Sequence, residues 1–290
     1  MRYFEAVATH GHFGRAADAC FVSQPAISLQ IKELEEALGN VLFERQARHV
    51  RLTPFGEEFA DRVRPILQSI DDLGELARAS QDGAIGRLRM GTIPTIAPYL
   101  LPCIIAGLTE AFPSLDLRIR ETQTEKLISD LIDGRLDAAL LALPISRPEL
   151  TETPLFDEDF VFVRHVSDAK DPVPNGTSLS KMKLLLLEEG HCFRDQALSF
   201  CEMNSAASQE LMEGSSLSTL VQMVASGMGV TLIPEMAVGL ETKSANVSVA
   251  RFPAPQPRRT IGMVWRKTTP LARQLSDIAE IIETSAQQVD

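Results

Sequence analysis

The residues with the clearest capacity for chemistry in this chain surround Cys192. This cysteine lies in the run Gly190–Ala197, whose sequence is GHCFRDQA. A cysteine reacts as its thiolate, so a reactive cysteine needs positive charge, hydrogen-bond donors or a helix N-terminus nearby. His191 and Arg194 are local candidates for the charge, and the stretch 195–198 is predicted to begin a helix. The segment therefore indicates a reactive thiol.

The chain contains three other cysteines, and simpler interpretations compete for all four. Cytosolic cysteines most often behave as small buried hydrophobic residues, and we predict this for Cys20 and Cys103. Cys20 ends an alanine-rich stretch, and Cys103 lies in an apolar run. His191 beside Cys192 raises the alternative of a zinc site. Structural zinc takes four ligands at tight spacing, and the sequence has no second Cys/His cluster, so neither a metal nor a cofactor is expected.

Bulk composition limits what the chain can be. Its 290 residues, 44% hydrophobic and 23% charged, are typical of a globular protein with more than one domain. We expect a cytoplasmic protein without a membrane contact, because there is no signal peptide and no apolar run of roughly 20 residues. A formal net charge of -11 disfavours nucleic acid as a partner, so any DNA contact must be local.

The first 40 residues are predicted to form three short helices. Ser23 is the expected N-cap of the third helix, Pro25 lies in its first turn, and Gly39 ends it. The apolar stripe of this helix consists of Ile27, Ile31, Leu34 and Leu38. The following stretch, 41–52, is short, extended and basic, and we predict a β wing there.

Two further regions follow the wing. Apolar residues recur every three or four positions from Phe55 to Ser80, which is typical of a dimerising linker helix, although Pro65 should kink it. Alternating strands and helices then indicate an α/β region. The predicted domains are 1–54, which is the helical and β-wing region, 55–82, which is the linker helix, and 83–290, which is the α/β region.

Individual elements of the α/β region can be predicted from apolar runs. The expected strands are Leu88–Ile93, Leu115–Arg120, Ala138–Leu143, Phe160–Val163, Leu184–Leu187, Val230–Ile233 and Thr260–Arg266, the last returning to the first lobe. The expected helices are Leu100–Phe112, Glu125–Asp133, Leu217–Ser226 and Leu271–Ile282.

Four motifs near the N-terminus resemble the signature of LysR-type transcription regulators. They are RAADA at 15–19, SQPAIS at 23–28, LEEALG at 34–39 and LFER at 42–45. The resemblance extends in domain layout along nearly the whole chain. It implies a winged helix-turn-helix, a linker helix that dimerises, and a two-lobed α/β sensor domain shaped like a periplasmic binding protein.

The resemblance assigns roles to the polar residues of the N-terminal unit. The third helix should enter the DNA major groove, where Gln30 can offer a bidentate amide to adenine. The arginines of the wing, the densest basic cluster of an acidic chain, are expected to contact phosphates. The DNA-binding residues predicted in this way are Ser23, Gln24, Pro25, Ser28, Gln30, Arg45, Arg48 and Arg51.

A second resemblance, to the peroxide-sensing OxyR branch of the same family, is carried by four separated segments. These are GHCFRDQA with the later Phe200-Cys201, IPT at 93–95, ETQT at 121–124 and PRRTIG at 257–262. The resemblance implies that Cys192 reacts with peroxide and that Cys201 resolves the product as a disulfide. The peroxide-binding residues it implies are Thr95, Thr124, His191, Asp195 and Arg258.

Two expectations about these residues can be checked against a structure. On the sequence alone, Thr95 and Thr124 are more simply explained as helix N-caps than as ligand contacts. If the segment from Cys192 to Cys201 is helical, the two Cα atoms are about 13.5 Å apart and the side chains point to opposite faces. A disulfide requires about 7 Å, so the helix would have to unwind.

The expected partners are double-stranded DNA, hydrogen peroxide, a second copy of the chain in a homodimer or homotetramer, RNA polymerase, and a thiol reductant such as glutaredoxin or thioredoxin. Two other functions remain open at this stage. A regulator sensing a small metabolite between the two lobes would use the same architecture without needing Cys201. A thiol peroxidase would use both cysteines, but the N-terminal unit argues against this enzyme.

Overall fold

A computed structural model describes residues 1–45, 50–82, 86–201 and 212–287. The chain divides into two compact units, Met1–Ala77 and Arg78–Asp290. In the described part of the chain, no helix combines the length and apolar character needed to cross a membrane.

The first unit contains three helices, a two-stranded wing and a long helix. Its elements are α1 (Arg2–His10), α2 (Phe13–Ala19), α3 (Gln24–Leu38), β1 (Phe43–Arg45), β2 (Val50–Leu52) and α4 (Pro54–Asp82), which extends past the boundary of the unit. The three predicted helices and the wing are confirmed. Ser23 caps α3 by accepting a hydrogen bond from the Ala26 N–H, and Gly39 ends it in the left-handed conformation, as expected.

Aromatic packing and one carboxylate hold this unit together. The rings of Phe4 and Phe43 lie 5.3 Å apart, joining α1 to the wing. Glu35 of α3 accepts a hydrogen bond from the Leu42 N–H at 2.8 Å, which fixes the start of the wing. The helix α4 passes through Pro65 without ending, and its Ser69 hydroxyl donates to the Pro65 carbonyl.

The second unit alternates strands and helices, as predicted. Its strands are β3 (Arg87–Thr92), β4 (Asp116–Glu121), β5 (Ala138–Leu143), β6 (Leu150–His165), β7 (Leu185–Leu187), β8 (Met212–Gly214), β9 (Thr231–Pro234), β10 (Val247–Arg251) and β11 (Arg258–Arg266). Its helices are α5 (Ala97–Ala111), α6 (Thr124–Ile132), α7 (Gly176–Leu179), α8 (Cys192–Phe200), α9 (Leu217–Ala225), α10 (Val238–Glu241) and α11 (Ala272–Ala286).

The long strand β6 joins two lobes, each with its own hydrophobic core. The first half of β6 pairs with β11, while its second half pairs with β9 and β10. One core surrounds β3, β5 and α5, and the other surrounds β7, α9 and the second half of β6. The expectation that the last strand returns to the first lobe is confirmed, because β11 pairs with β5.

Several predicted boundaries were wrong in ways that matter for the site. The predicted strand Phe160–Val163 is only part of β6, which has 16 residues. The helix α8 begins at Cys192 and not near Asp195, because Cys192 and Phe193 already adopt helical geometry. The short strands β8 and β10 were not predicted at all.

Candidate functional site

The polar residues predicted to read DNA lie around the start of α3. Ser23, Gln24, Pro25 and Gln30 are exposed and Ser28 is half-buried, while Ile27 and Ile31 on the opposite face are buried. The Gln30 amide donates to Glu33 at 2.7 Å on the same helix. Burial of the apolar stripe therefore turns the predicted contact residues toward solvent.

The structure describes only some of the basic side chains of the wing. Arg51 on β2 is exposed. Arg45 lies in β1, but its side chain is outside the described part of the structure, and Arg48 lies outside the described residues altogether. The role predicted for these arginines stays a prediction.

The loop before the reactive cysteine is held in an unusual conformation. Gly190 has φ of +92°, which L side chains rarely adopt, and a Cβ there would lie 2.6 Å from Gln123 Oε1. The Gln123 amide donates to the Glu189 carbonyl at 3.2 Å, linking the start of α6 in the first lobe to this loop. The tight loop allows α8 to begin at Cys192, with His191 as its N-cap residue.

A narrow pocket, closed in this structure to a molecule the size of water, brings Cys192 together with three of the residues predicted to bind peroxide. Thr95, Thr124 and His191 line it beside the thiol. The Thr124 hydroxyl is buried and has no hydrogen-bond partner in the described structure. Burial lowers the pKa of His191, so the imidazole is neutral near pH 7. The pocket therefore offers an unpaired hydroxyl and a neutral imidazole next to a half-buried thiol.

The expectation that Thr95 and Thr124 are N-caps is wrong. The N-cap residues of α5 and α6 are Ile96 and Gln123, each one position from the threonine concerned. Neither threonine is therefore the residue that caps the start of a helix. The Thr95 hydroxyl instead accepts a hydrogen bond from Arg259 at 2.9 Å.

Sequence reasoning missed Arg259 and chose its neighbour Arg258. Successive residues of a strand point to opposite faces, and β11 directs Arg259 inward and Arg258 outward. The Arg259 side chain is fully buried, whereas that of Arg258 is 58% exposed and pairs with Asp157 and Asp159. The strand period reveals that the two arginines differ, but only the tertiary structure reveals which one is buried.

Arg258 and Asp195 line a second, wider pocket on which Cys192 also borders. Its volume is about 510 Å³, and Thr124 and Arg259 form part of its wall. Asp195, in the first turn of α8, is exposed. The five residues predicted to bind peroxide are thus split between two pockets that share Cys192 and Thr124.

Arg194, expected to supply positive charge to Cys192, is committed elsewhere. Its buried guanidinium donates to the Leu187 carbonyl at 3.0 Å and to Glu213 at 2.6 Å. These contacts tie the first turn of α8 to β7 and β8. Arg194 therefore anchors the helix, and its charge is balanced by Glu213.

Cys201 follows the last residue of α8 and lies in a different environment from Cys192. It is fully buried in the core of the second lobe, whereas Cys192 packs against the core of the first. Burial raises the pKa of the Cys201 thiol to about 11. Both cysteines are free, and the expected helix between them is present as α8. The rise of an ideal helix corresponds to roughly 13.5 Å between the two Cα atoms.

Cys20 and Cys103 are free and half-buried. Cys20 packs against the core of the first unit, and Cys103 packs against the core of the first lobe. The Cys103 thiol donates to the Leu100 carbonyl at 2.9 Å, and burial raises its pKa. The prediction that both are unreactive stays a prediction.

Comparison with known proteins identifies the two units independently. Residues 1–57 match the family described as bacterial regulatory helix-turn-helix protein, lysR family, and residues 81–287 match the LysR substrate binding domain. A probable hydrogen peroxide-inducible genes activator from Streptomyces viridosporus is 43% identical over 100% of this chain and 94% of the relative. The DNA-binding transcriptional dual regulator OxyR of Escherichia coli K12 is 42% identical over 97% of this chain and 93% of the relative.

Solved structures agree with these matches. A full-length OxyR variant from Pseudomonas aeruginosa has a TM-score of 0.79 and 38% identity, covering 97% of this chain and 96% of the other. A hydrogen peroxide-bound cysteine mutant of OxyR from Corynebacterium glutamicum has a TM-score of 0.70 and 34% identity, covering 99% and 92%.

These matches are to transcription regulators, so the chain is not a thiol peroxidase enzyme. The architecture expected from the sequence, a winged helix-turn-helix followed by a linker helix and a two-lobed α/β domain, is confirmed. The chain belongs to the LysR family of bacterial regulatory helix-turn-helix proteins and, within it, to the OxyR group.

Proposed function

We propose that this protein is a DNA-binding transcription regulator that senses hydrogen peroxide through Cys192. The observation that carries the proposal is the narrow pocket, in which the thiol lies beside the buried, unpartnered hydroxyl of Thr124. An unpaired buried hydroxyl costs free energy, and a small polar ligand removes that cost. The relatives are named as activators of hydrogen peroxide-inducible genes, and this supports the same ligand.

The proposed chemistry proceeds in two balanced steps. The Cys192 thiolate attacks one oxygen of hydrogen peroxide, the O–O bond breaks, and a sulfenic acid and hydroxide are formed. The Cys201 thiol then attacks the sulfenic sulfur, which forms the disulfide and releases water. A thiol reductant such as glutaredoxin or thioredoxin restores both thiols by exchange.

Each pocket residue has a proposed part in the first step. Thr95, Thr124 and His191 hold peroxide against the thiol after the narrow pocket, which is closed to a water-sized molecule in this structure, has widened. Cys192 is the first residue of α8, so the thiol lies at the end of the helix where backbone N–H groups point outward. Asp195 and Arg258 border the thiol from the wider pocket, and buried Arg259 reaches the site through Thr95.

The second step requires α8 to change shape. The two sulfur atoms belong to different cores at opposite ends of a helix, and a disulfide needs Cα atoms within about 7 Å. Oxidation therefore unwinds the helix, and a chemical event becomes a conformational one. This rearrangement is the signal that we propose reaches the DNA.

We propose that the DNA-binding form is a homodimer or a homotetramer built through α4. Ile66, Ile70 and Leu73 are half-exposed or more on that helix, at spacings of four and three, which suits a second copy of the same helix. Such an oligomer binds double-stranded DNA at paired half-sites in the cytoplasm and acts on RNA polymerase.

The experiment that tests this function is peptide mapping under non-reducing conditions, before and after a brief low dose of hydrogen peroxide. We expect a single Cys192–Cys201 disulfide in the wild type, no response in Cys192→Ser, and a sulfenic acid without a disulfide in Cys201→Ser. Cys20→Ser and Cys103→Ser are matched controls that should respond normally.

Two outcomes would contradict the proposal. A dominant Cys20–Cys103 disulfide would mean that the reactive pair was misassigned. A Cys192→Ser variant whose DNA binding still changes with peroxide would favour a regulator that senses a different ligand.

A further inference from the structure

A buried ion pair lies behind the narrow pocket, at the junction of the two lobes. Glu158 of β6 accepts a hydrogen bond from Arg259 Nε at 2.7 Å, and the two side chains are 5% and 0% exposed. The other Glu158 oxygen accepts from the Met236 N–H at 3.1 Å. Both carboxylate oxygens are therefore engaged, and the carboxylate cannot turn without losing a hydrogen bond.

The rest of the Arg259 guanidinium is directed at the first lobe and at α8. Its two terminal nitrogens donate to the hydroxyl and to the carbonyl of Thr95, each at 2.9 Å. Its carbon lies 5.7 Å from the centre of the Phe193 ring, which packs edge-on against Phe160. One guanidinium therefore contacts both Thr95 and the residue that follows Cys192.

The hydrogen bond to Thr95 fixes what that hydroxyl can do. Arginine has only donors, so the Thr95 oxygen must be the acceptor, and its one hydrogen is left to donate elsewhere. Thr95 lines the narrow pocket beside Cys192. A hydroxyl that accepts from a cation is also a better donor, because hydrogen bonds in a chain polarise one another.

Orientation of the guanidinium depends on Glu158. A buried arginine without a partner carries a large desolvation cost and would turn toward water or another acceptor. Glu158 holds Nε, and this contact sets the plane in which both terminal nitrogens meet Thr95. In the described structure Glu158 does not line the narrow pocket, so its hydrogen-bonded connection to Thr95 runs through Arg259.

We propose that Glu158 is a positioning residue for the reaction with peroxide, acting through Arg259 to orient the Thr95 hydroxyl as a donor to the bound peroxide. The inference rests on the proposed function, because it assumes that Cys192 reacts with peroxide in the narrow pocket after that pocket has widened. It predicts that Glu158 affects the reaction of Cys192 with peroxide specifically, and not the general reactivity of the Cys192 thiol.

Charge and geometry predict opposite effects for Glu158→Gln, and this makes the inference testable. Loss of the Glu158 charge removes a repulsion that an anionic nucleophile would feel, so a role through charge alone makes every reaction of the thiol as fast or faster. A positioning role slows the reaction with peroxide only, because only peroxide uses the Thr95 donor. The ratio of two rates separates these cases.

The experiment uses the reduced full-length protein with Cys201→Ser, so that the sulfenic acid is not consumed by a disulfide. Two rates are measured at Cys192 across pH 6–9 as a chosen range: sulfenic acid formation with hydrogen peroxide, and alkylation by iodoacetamide. For Glu158→Gln we expect the peroxide rate to fall by roughly tenfold or more, as for a misplaced transition-state donor, with alkylation unchanged or faster.

Controls keep the result interpretable. Glu152→Gln is matched, because Glu152 is also on β6 and its carboxylate binds only backbone N–H groups at 145 and 146 among the described contacts; both rates should stay unchanged. Thr95→Val should slow peroxide like Glu158→Gln, and the double variant should be no slower than either single variant. Glu158→Asp, which keeps the charge with a shorter reach, should be intermediate.

The failures of the two ideas are distinguishable. Peroxide and alkylation rates that fall together in folded Glu158→Gln, or a peroxide rate that does not fall, would overturn the positioning role. If Glu158→Gln does not fold, additive effects of Glu158→Asp and Thr95→Val would overturn it as well. Absence of sulfenic acid at Cys192 in the Cys201→Ser parent would instead overturn the proposed function.

Discussion

At the scale of single residues, Cys192 and Cys201 lie nine positions apart but differ in how accessible their thiols are. Cys192 borders two pockets and is half-buried, whereas Cys201 is fully buried. Because burial raises the pKa of Cys201 to about 11, this thiol is almost entirely protonated near pH 7. We therefore expect the first attack on peroxide at Cys192, and a reaction of Cys201 only after the helix opens.

The raised pKa of Cys201 also predicts how stability depends on pH. A group whose folded-state pKa is raised stabilises the folded state fully below its unfolded pKa of about 9, and this contribution is lost as pH rises toward 11. We expect the wild type to lose on the order of 1–2 kcal/mol more than Cys201→Ala between pH 7 and pH 10.5. Urea unfolding followed by the fluorescence of the single tryptophan, Trp265 in the second unit, measures this difference.

Equal losses in the two proteins would show that the thiol at 201 titrates in the folded state as it does in the unfolded chain. Cys103→Ala can be compared with Cys201→Ala, because Cys103 is half-buried and burial also raises the pKa of its thiol.

At the scale of elements, α8 connects the two cores and is held at both ends. Phe193 and the Arg194–Glu213 ion pair anchor its first turn, and Cys201 anchors its last. The Gln123 amide holds the loop that precedes it. The helix is therefore stable while the thiols are reduced, and its nine residues are the part of the sensor that a disulfide must deform.

Hydrogen exchange should detect this deformation. Amides beyond the first turn of α8 donate within the helix in the reduced state, so we expect them to be protected. Oxidation by peroxide should lower their protection strongly, because the disulfide cannot span an intact helix. The amides of α9, which packs in the same lobe, should change much less. Mass spectrometry after proteolysis would give both readings from one experiment.

Cys201→Ser is the matched control, because it forms a sulfenic acid but no disulfide. Loss of α8 protection in this variant would mean that oxidation of Cys192 is sufficient to open the helix. Unchanged protection in the oxidised wild type would contradict the switch even if the disulfide were present.

At the scale of the whole molecule, an acidic chain carries its DNA-binding residues in one small unit. The net charge of -11 opposes binding to a polyanion, so local arginines must supply the attraction. Arg51 is exposed on the wing, and Gln30 is exposed on α3. These positions suit two separable tasks, which are phosphate attraction and base recognition.

Arg51→Ala and Gln30→Ala should therefore weaken DNA binding in different ways. Loss of a phosphate contact lowers affinity about equally for all sequences and reduces the slope of log affinity against log salt by about 1. Loss of a base contact relaxes sequence preference by roughly 1–3 kcal/mol at one position and leaves the slope unchanged. Fluorescence anisotropy with operator and scrambled duplexes at several salt concentrations measures both quantities.

A change of sequence preference in Arg51→Ala without a change of salt slope would reverse the two assignments. Lys126→Ala is a suitable control, because Lys126 lies on α6 in the second unit, outside the segment predicted to bind DNA.

The sequence by itself determined most of the helices and strands, and it pointed to the segment that we propose to be reactive. Local chemistry is sufficient for these, since Ser23 and Gly39 delimit α3 through capping and a left-handed turn, and the helical spacing of Cys192 and Cys201 follows from position alone. The family resemblance rested on the same local motifs.

Only the tertiary structure decided which side chains meet. Arg258 and Arg259 are identical in type and adjacent, so their roles depend on which face of β11 is covered by the first lobe. Glu158 has no local signal, because its partners are Arg259 and the N–H of Met236, at positions distant in the chain. The sequence alone predicts that Thr95 and Thr124 are helix caps, whereas the tertiary structure places both beside the Cys192 thiol. Contacts between residues far apart in sequence arise from packing of strands and lobes, and no local pattern encodes them.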